Sequence, residues 1–107
     1  MERTSILIHG VNLMNIFSKK YRVDYCGKKF EYRNARDKYR AGENVTLYYS
    51  MIATDTDYFF TLDGAKLYID YDVSKGYILS FTMPKHDVVL HCFSRNSMLV
   101  EVEEYHE

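Results

Sequence analysis

The chain has 107 residues, a length that suits one domain with a sizeable hydrophobic core. Eleven Tyr and six Phe against five Gly and one Pro favour strands over disorder, and no apolar run approaches the roughly 20 residues of a membrane-spanning helix. The net charge of −1 hides an uneven distribution, with ten Lys and Arg against four Asp and Glu in residues 1–40, and four against eleven in residues 41–107.

Residues 1–18 give the least clear pattern. Apolar residues at odd positions such as Leu7 and Val11 fit a strand, whereas Met14 and Phe17 also fit one side of a helix. We therefore expect either an extra strand or a short helix here. The segment lacks the unbroken apolar run and the cleavage site of a signal peptide, so we expect a cytoplasmic protein, or a surface-exposed one if the sequence is part of a longer protein.

The next segment, residues 20–33, alternates between apolar and polar side chains. Tyr21 and Tyr25 share one face, and Gly27 is available for a turn with positive φ before the pattern resumes. This pattern predicts a β-hairpin. Residues 34–40, which follow it, are mostly polar and charged, and we predict no strand there.

The middle of the chain predicts a strand and a second hairpin. Residues 45–53 begin with alternating apolar side chains, which indicates a strand. Asp63 and Gly64 form a dipeptide suited to a two-residue turn between strands. Because alternating runs over residues 58–62 and 67–71 flank this dipeptide, we predict a hairpin.

A third hairpin is predicted over residues 76–93. Its first arm places an apolar residue at every second position up to Pro84, the only proline of the chain, and the pattern resumes at Val88. A last short strand over residues 98–102 and an acidic tail over residues 101–107 are expected after it. In total the pattern gives about seven strands with turn signals every 8–12 residues, which is typical of an antiparallel sandwich or a small barrel.

Two phrases carry a resemblance to a known type of domain. AGENVTL at residues 41–47 and GYILSFTMPKHDVVL at residues 76–90 resemble phrases of bacterial all-β repeat modules, immunoglobulin-like or internalin-B-repeat-like, which are strung along Gram-positive surface proteins. The resemblance covers about residues 39–93 and implies a spacer, adhesive or protein-binding role with no catalytic residues. We therefore predict one all-β domain over residues 1–107, an antiparallel, immunoglobulin-like β-sandwich.

No motif indicates an enzyme. Alternation places Cys26 on a polar face and Cys92 on an inner face, which favours two reduced thiols but leaves a disulfide open. The four histidines lack the HxH and HExxH spacings of zinc sites, and Asp55, Asp57 and Asp63 lack the Gly and the distal Glu of a calcium loop. We expect no catalytic residue, no cofactor and no metal.

Two surfaces are candidates for binding. Rings on the outer faces of predicted strands indicate a platform for another protein or for a second copy of the chain, with a structural role in cross-strand pairs as the alternative. These rings are Tyr48, Tyr68 and Phe93. Basic residues interleaved with rings in residues 19–40 predict, as the alternative function, binding of single-stranded nucleic acid or another anionic polymer. The residues that would carry it are Arg22, Lys28, Lys29 and Arg33.

Overall fold

The computed structural model describes residues 19–96, which form two four-stranded sheets. The strands are β1 Lys20–Asp24, β2 Tyr32–Arg33, β3 Lys38–Arg40, β4 Asn44–Tyr49, β5 Thr56–Asp63, β6 Tyr68–Asp72, β7 Gly76–Thr82 and β8 Val88–Asn96. The first sheet has the order β3-β1-β8-β5, and the second sheet has the order β2-β4-β7-β6. Adjacent strands pair antiparallel except β1 and β8, which run parallel. The predicted all-β class is confirmed.

Three of the predicted features lie outside the described residues. They are the strand or helix over residues 1–18, the last strand over residues 98–102 and the acidic tail over residues 101–107. Within residues 19–96, no helix has the length and apolar character needed to cross a bilayer.

The three predicted hairpins are wrong in their pairing, although their strands are present. The two arms of each hairpin lie in different sheets: β1 is separated from β2, β5 from β6, and β7 from β8. Alternation reports which face of a strand is buried, but it does not report which neighbour supplies the backbone hydrogen bonds. Two consecutive strands that lie in different sheets and face a shared core therefore show the same alternation as two strands of one hairpin.

Strand β3 was not predicted, because its sequence is dominated by charge. Lys38 and Arg40 are exposed, and only the residue between them, Tyr39, is buried. Its backbone pairs antiparallel with β1, with Tyr39 opposite Tyr21. With only one buried ring between two charged residues, the strand is too short for an alternating apolar pattern to be recognised.

One hydrophobic core draws on both sheets. Leu47 and Leu79 stand opposite each other in the second sheet, and Leu90 joins them from the first sheet; all three are fully buried. The other buried apolar residues are Val23, Tyr25, Tyr32, Tyr39, Val45, Tyr49, Phe60, Phe81, Met83 and Val88. The inner faces predicted for both arms of residues 76–93 are confirmed. Among residues 19–96, each sheet thus buries one face against the core and turns the other face outward.

Candidate functional site

Large apolar side chains are exposed on strands of both sheets and also outside the strands, at Phe30 and Val73. Strand β5 ends the first sheet and β6 ends the second among the described strands. Phe59 on β5 and the β6 residues Tyr68, Ile69 and Tyr71 are each about half exposed, as is Phe93 on β8. We call these five residues the open side. Among them, Phe59 and Phe93 stand directly opposite each other on the outer face of the first sheet, and adjacent exposed rings mark an interaction surface more often than scattered single residues do.

Aromatic contacts connect the two edges of the open side. The ring centroids of Tyr58 on β5 and Tyr77 on β7 lie 6.0 Å apart, and those of Tyr77 and Tyr71 on β6 lie 5.1 Å apart. Tilted and edge-on ring pairs at such distances contribute beyond the area they bury. The edges of the two sheets are therefore fixed relative to each other by a chain of rings.

Of the two edge strands, β5 has the sequence that is better suited to pairing with another strand. Its eight residues, TDYFFTLD, pair with β8 along their whole length, and no described strand lies on the other side. Phe59 stands directly opposite Phe93 on the outer face. Acidic residues at its two ends are held by partners, Asp57 by Arg95 at 3.5 Å and Asp63 by His91 at 2.9 Å. A long edge strand with an uncharged aromatic centre is a template for pairing with another strand.

The β6 edge, in contrast, is protected. Its outer face carries Asp70 and Asp72, and one carboxylate oxygen of Asp70 accepts the backbone N–H of Tyr71 at 2.8 Å. That N–H is not available to an incoming strand unless the carboxylate moves. Charges on edge strands are a common way in which proteins prevent edge-to-edge pairing. The geometry therefore favours β5 over β6 as the pairing edge.

The three rings predicted to bind lie on two different surfaces. Tyr48 and Tyr68 are on the outer face of the second sheet, whereas Phe93 is on the outer face of the first sheet. Tyr48 is only partly exposed, and the side chains of Arg33 and Lys75 approach its ring centroid at 6.0 Å and 5.8 Å. The outer faces of the two sheets point away from each other, so the three rings do not form one platform.

The four basic residues of the alternative surface are also dispersed. Arg22 and Arg33 lie next to buried residues of strands in different sheets, and both point away from the core. Lys29 forms an ion pair with Asp37 at 3.0 Å, and Lys28 is exposed in the turn after β1. The rings available for stacking on bases are reduced as well, because Tyr25, Tyr32 and Tyr39 belong to the core.

The structure also brings together a cluster that the sequence did not reveal. The thiol sulfur of Cys26 lies 3.6 Å from Nδ1 of His91, and Nε2 of His91 lies 2.9 Å from a carboxylate oxygen of Asp63. The ring of His91 stacks on Phe93, with centroids 5.9 Å apart. Alternation places Cys26 on a polar face, and the register between β1, β8 and β5 is what joins it to His91 and Asp63.

This cluster is linear and not a metal-binding arrangement. The imidazole of His91 uses one nitrogen toward Cys26 and the other toward Asp63, so the three groups do not point at one centre. Within residues 19–96, no group of three or more His, Cys, Asp or Glu has the geometry to hold an ion.

The second thiol has the opposite environment. Cys92 is partly buried against the core, near the hydroxyls of Tyr49 and Tyr32, and both cysteines are free. Burial raises the pKa of the Cys92 thiol. The Tyr49 hydroxyl donates to Glu31 at 3.1 Å, while the buried Tyr32 hydroxyl has no hydrogen-bond partner among the described residues. Cys92 is therefore the less reactive cysteine.

No protein family, curated protein or solved structure matches this chain. The resemblance to bacterial repeat modules consequently stays a prediction, and function is argued from the geometry of the described residues.

Proposed function

We propose that this chain is a non-enzymatic, immunoglobulin-like β-sandwich module that binds a second copy of itself through the free edge of β5. The first sheets of two copies would join into one continuous sheet. The observation that carries the proposal is the β5 edge itself, an eight-residue strand with an exposed Phe59 and an uncharged centre. Support for a sandwich comes from the single core to which both sheets contribute.

Ring contacts and charge together favour one register of the paired strands. Two identical antiparallel strands related by a two-fold axis perpendicular to the sheet are centred on one residue, which then faces its own copy. Centring on Phe59 places Asp57 opposite Thr61 and Tyr58 opposite Phe60. Centring on Phe60 would instead oppose Asp57 and Asp63 twice, and like charges directly opposite each other are destabilising. Centring on Phe59 brings Asp63 opposite Asp55, but Asp55 lies outside β5, and this register alone sets the two exposed Phe59 rings against each other, so it is the favoured one.

The paired strands would gain both backbone and side-chain contacts. The N–H and C=O groups of β5 that no described strand pairs with would find partners, and each aromatic pair across the strands contributes roughly 0.2–1 kcal/mol. An interface built on one strand is small, so we expect a weak dimer with a dissociation constant of about 1–100 µM.

Sedimentation equilibrium from about 10 µM to about 1 mM tests this proposal. The wild-type chain should shift from monomer to dimer over this range, and Phe59→Lys should stay monomeric because two ammonium groups would oppose each other. Tyr68→Lys is the matched control: it places the same charge on an equally exposed ring of the second sheet and should leave the dimer unchanged. A wild-type monomer at about 1 mM, or a dimer lost in the control but kept in Phe59→Lys, would refute the proposal.

The alternative function, binding of single-stranded nucleic acid or another anionic polymer, has weaker support. Arg22 and Arg33 lie on the outer faces of different sheets, and Lys29 is paired with Asp37. A titration of labelled single-stranded RNA and DNA by fluorescence anisotropy tests it. Affinity that falls steeply with salt and disappears when Lys28, Lys29 and Arg33 are changed together to Glu would support this function, and affinity that survives the triple change would exclude it.

A further inference from the structure

The cluster of Cys26, His91 and Asp63 lies on the outer face of the first sheet, and its nucleophile, Cys26, comes from the turn after β1 and not from β5. We propose that Cys26 is a thiol-modification site, at which His91 accepts the thiol proton and the sulfur exchanges with small organic disulfides to form a mixed disulfide. Asp63 acts as a positioning residue for His91. The three side chains come from the turn after β1, from β8 and from β5.

The hydrogen bond to Asp63 determines which nitrogen of His91 faces the thiol. A carboxylate accepts hydrogen bonds, so the nitrogen beside it, Nε2 at 2.9 Å, carries the proton in the neutral ring. Nδ1 is then the basic nitrogen, and it lies 3.6 Å from the Cys26 sulfur, within reach of the S–H. Stacking on Phe93 restricts the ring further. This is the arrangement of a nucleophile with an oriented base.

The backbone presents the thiol outward. Cys26 is exposed and has a φ of 55°, and its N–H donates to a carboxylate oxygen of Asp24 at 2.8 Å. The following residue, Gly27, lines a groove of about 550 Å³ with Phe30 and Tyr32, which leaves room beside the turn for a small substituent. Cys92 is only partly exposed, and burial raises the pKa of its thiol.

The hydrogen bond from the Cys26 N–H to Asp24 distinguishes between two kinds of thiol chemistry. Acyl transfer develops an oxyanion that needs N–H donors, and the N–H of the nucleophile is often one of them. Here Asp24 already accepts the Cys26 N–H. Thiol–disulfide exchange develops negative charge on sulfur and needs no oxyanion donor, so the geometry favours exchange.

The exchange is balanced without any further reactant. Cys26 gives its proton to Nδ1 of His91, and the thiolate attacks one sulfur of the small disulfide. The new bond joins Cys26 to that sulfur while the original S–S bond breaks. The leaving thiolate then takes the proton from the imidazolium. Cys26 is oxidised to a mixed disulfide, and one half of the small disulfide is reduced to a thiol.

The rate of reaction with 4,4′-dithiodipyridine, measured in a Cys92→Ser background, tests this proposal. In that background His91→Gln should slow modification of Cys26 by about tenfold, since no base then lies beside the sulfur to accept the thiol proton. Asp63→Asn should also slow it, because the ring is no longer held in the correct tautomer. His86→Gln is the control, since this histidine contacts the backbone oxygen of Asp87 and not the thiol, and its rate should be unchanged.

Loss of structure would not imitate the expected result. Local unfolding exposes thiols and raises their rate of modification, so a slower rate in a variant reports the loss of the base. Equal rates with and without His91 would overturn the proposal. Mass spectrometry of the wild-type chain that finds the adduct on Cys92 instead of Cys26 would overturn it too.

Discussion

Replacing Gly76 by Ala tests the register of the second sheet. Gly76 begins β7 with a φ of +82°, and a Cβ atom at this position would lie 2.3 Å from the backbone carbonyl oxygen of Tyr49. The obstacle is backbone and not the end of a flexible side chain, so β4 and β7 would have to separate where Tyr49 pairs with Tyr77.

The matched control is Gly42→Ala. Gly42 has nearly the same φ, +86°, but a Cβ atom there would meet nothing within 4 Å. Both substitutions carry the cost of a left-handed conformation, roughly 1–2 kcal/mol. Gly76→Ala adds the cost of the overlap, about 1–3 kcal/mol by analogy with overpacked cores. The difference of about 2 kcal/mol corresponds to about 8–16 °C in Tm for a domain of this size.

Urea unfolding followed by circular dichroism measures both free energies of unfolding. Gly76→Ala should unfold at clearly lower urea than Gly42→Ala, with similar slopes for the two variants. Equal losses of stability would show that the Gly76 backbone does not approach Tyr49, and the β4–β7 register would then be incorrect.

Three further measurements test the packing and the charges. Leu90→Ala should lower the free energy of unfolding in urea by about 2–5 kcal/mol, because this leucine links the first sheet to the shared core; a loss below about 1 kcal/mol would contradict that core. The backbone N–H of Arg40 and then the guanidinium of Arg36 hold the pKa of Glu43 below its usual range. The ionised Glu43 carboxylate therefore stabilises the fold above the pKa it has in the unfolded chain, and this stabilisation is lost as the pH falls through the pKa it has in the folded chain. Glu43→Gln should therefore lower the Tm at pH 7 but not at about pH 2, and equal losses would refute this linkage. Burial raises the pKa of the Tyr25 hydroxyl, so the contribution of this hydroxyl to stability is complete below about pH 10 and is lost as the pH rises. The Tm should therefore fall more steeply above about pH 10 in the wild type than in Tyr25→Phe, and parallel curves of Tm against pH would argue against this linkage.

Hydrophobic alternation predicted the buried faces well. Val23 and Tyr25 in the first sheet, and Leu79 and Phe81 in the second, face the core as their spacing indicated. A period of two is a local property, set by the pleat of each strand and by the burial of one face. It needs no knowledge of the neighbouring strands.

The pairing of strands and the composition of surfaces depend on contacts between distant residues, and the sequence pattern does not contain them. Tyr68 and Phe93 looked alike in the sequence because both alternate outward, yet they belong to different sheets. Cys26 and His91 meet through the parallel pairing of β1 with β8, and nothing in the spacing of these residues indicates that contact. Turn signals at Gly27 and Asp63 were consistent with hairpins, but the chain crosses between the sheets after both.

Disulfide trapping tests self-pairing through β5 most directly. With Cys26 and Cys92 replaced by Ser, Phe59→Cys should form an intermolecular disulfide under mild oxidation, because the Phe59 register places this residue opposite its own copy. Thr61→Cys should not, since the two copies of Thr61 would be about 14 Å apart along the strands. Efficient cross-linking at 59 alone is the expected result, and equal cross-linking at both positions, or at neither, would contradict pairing through β5.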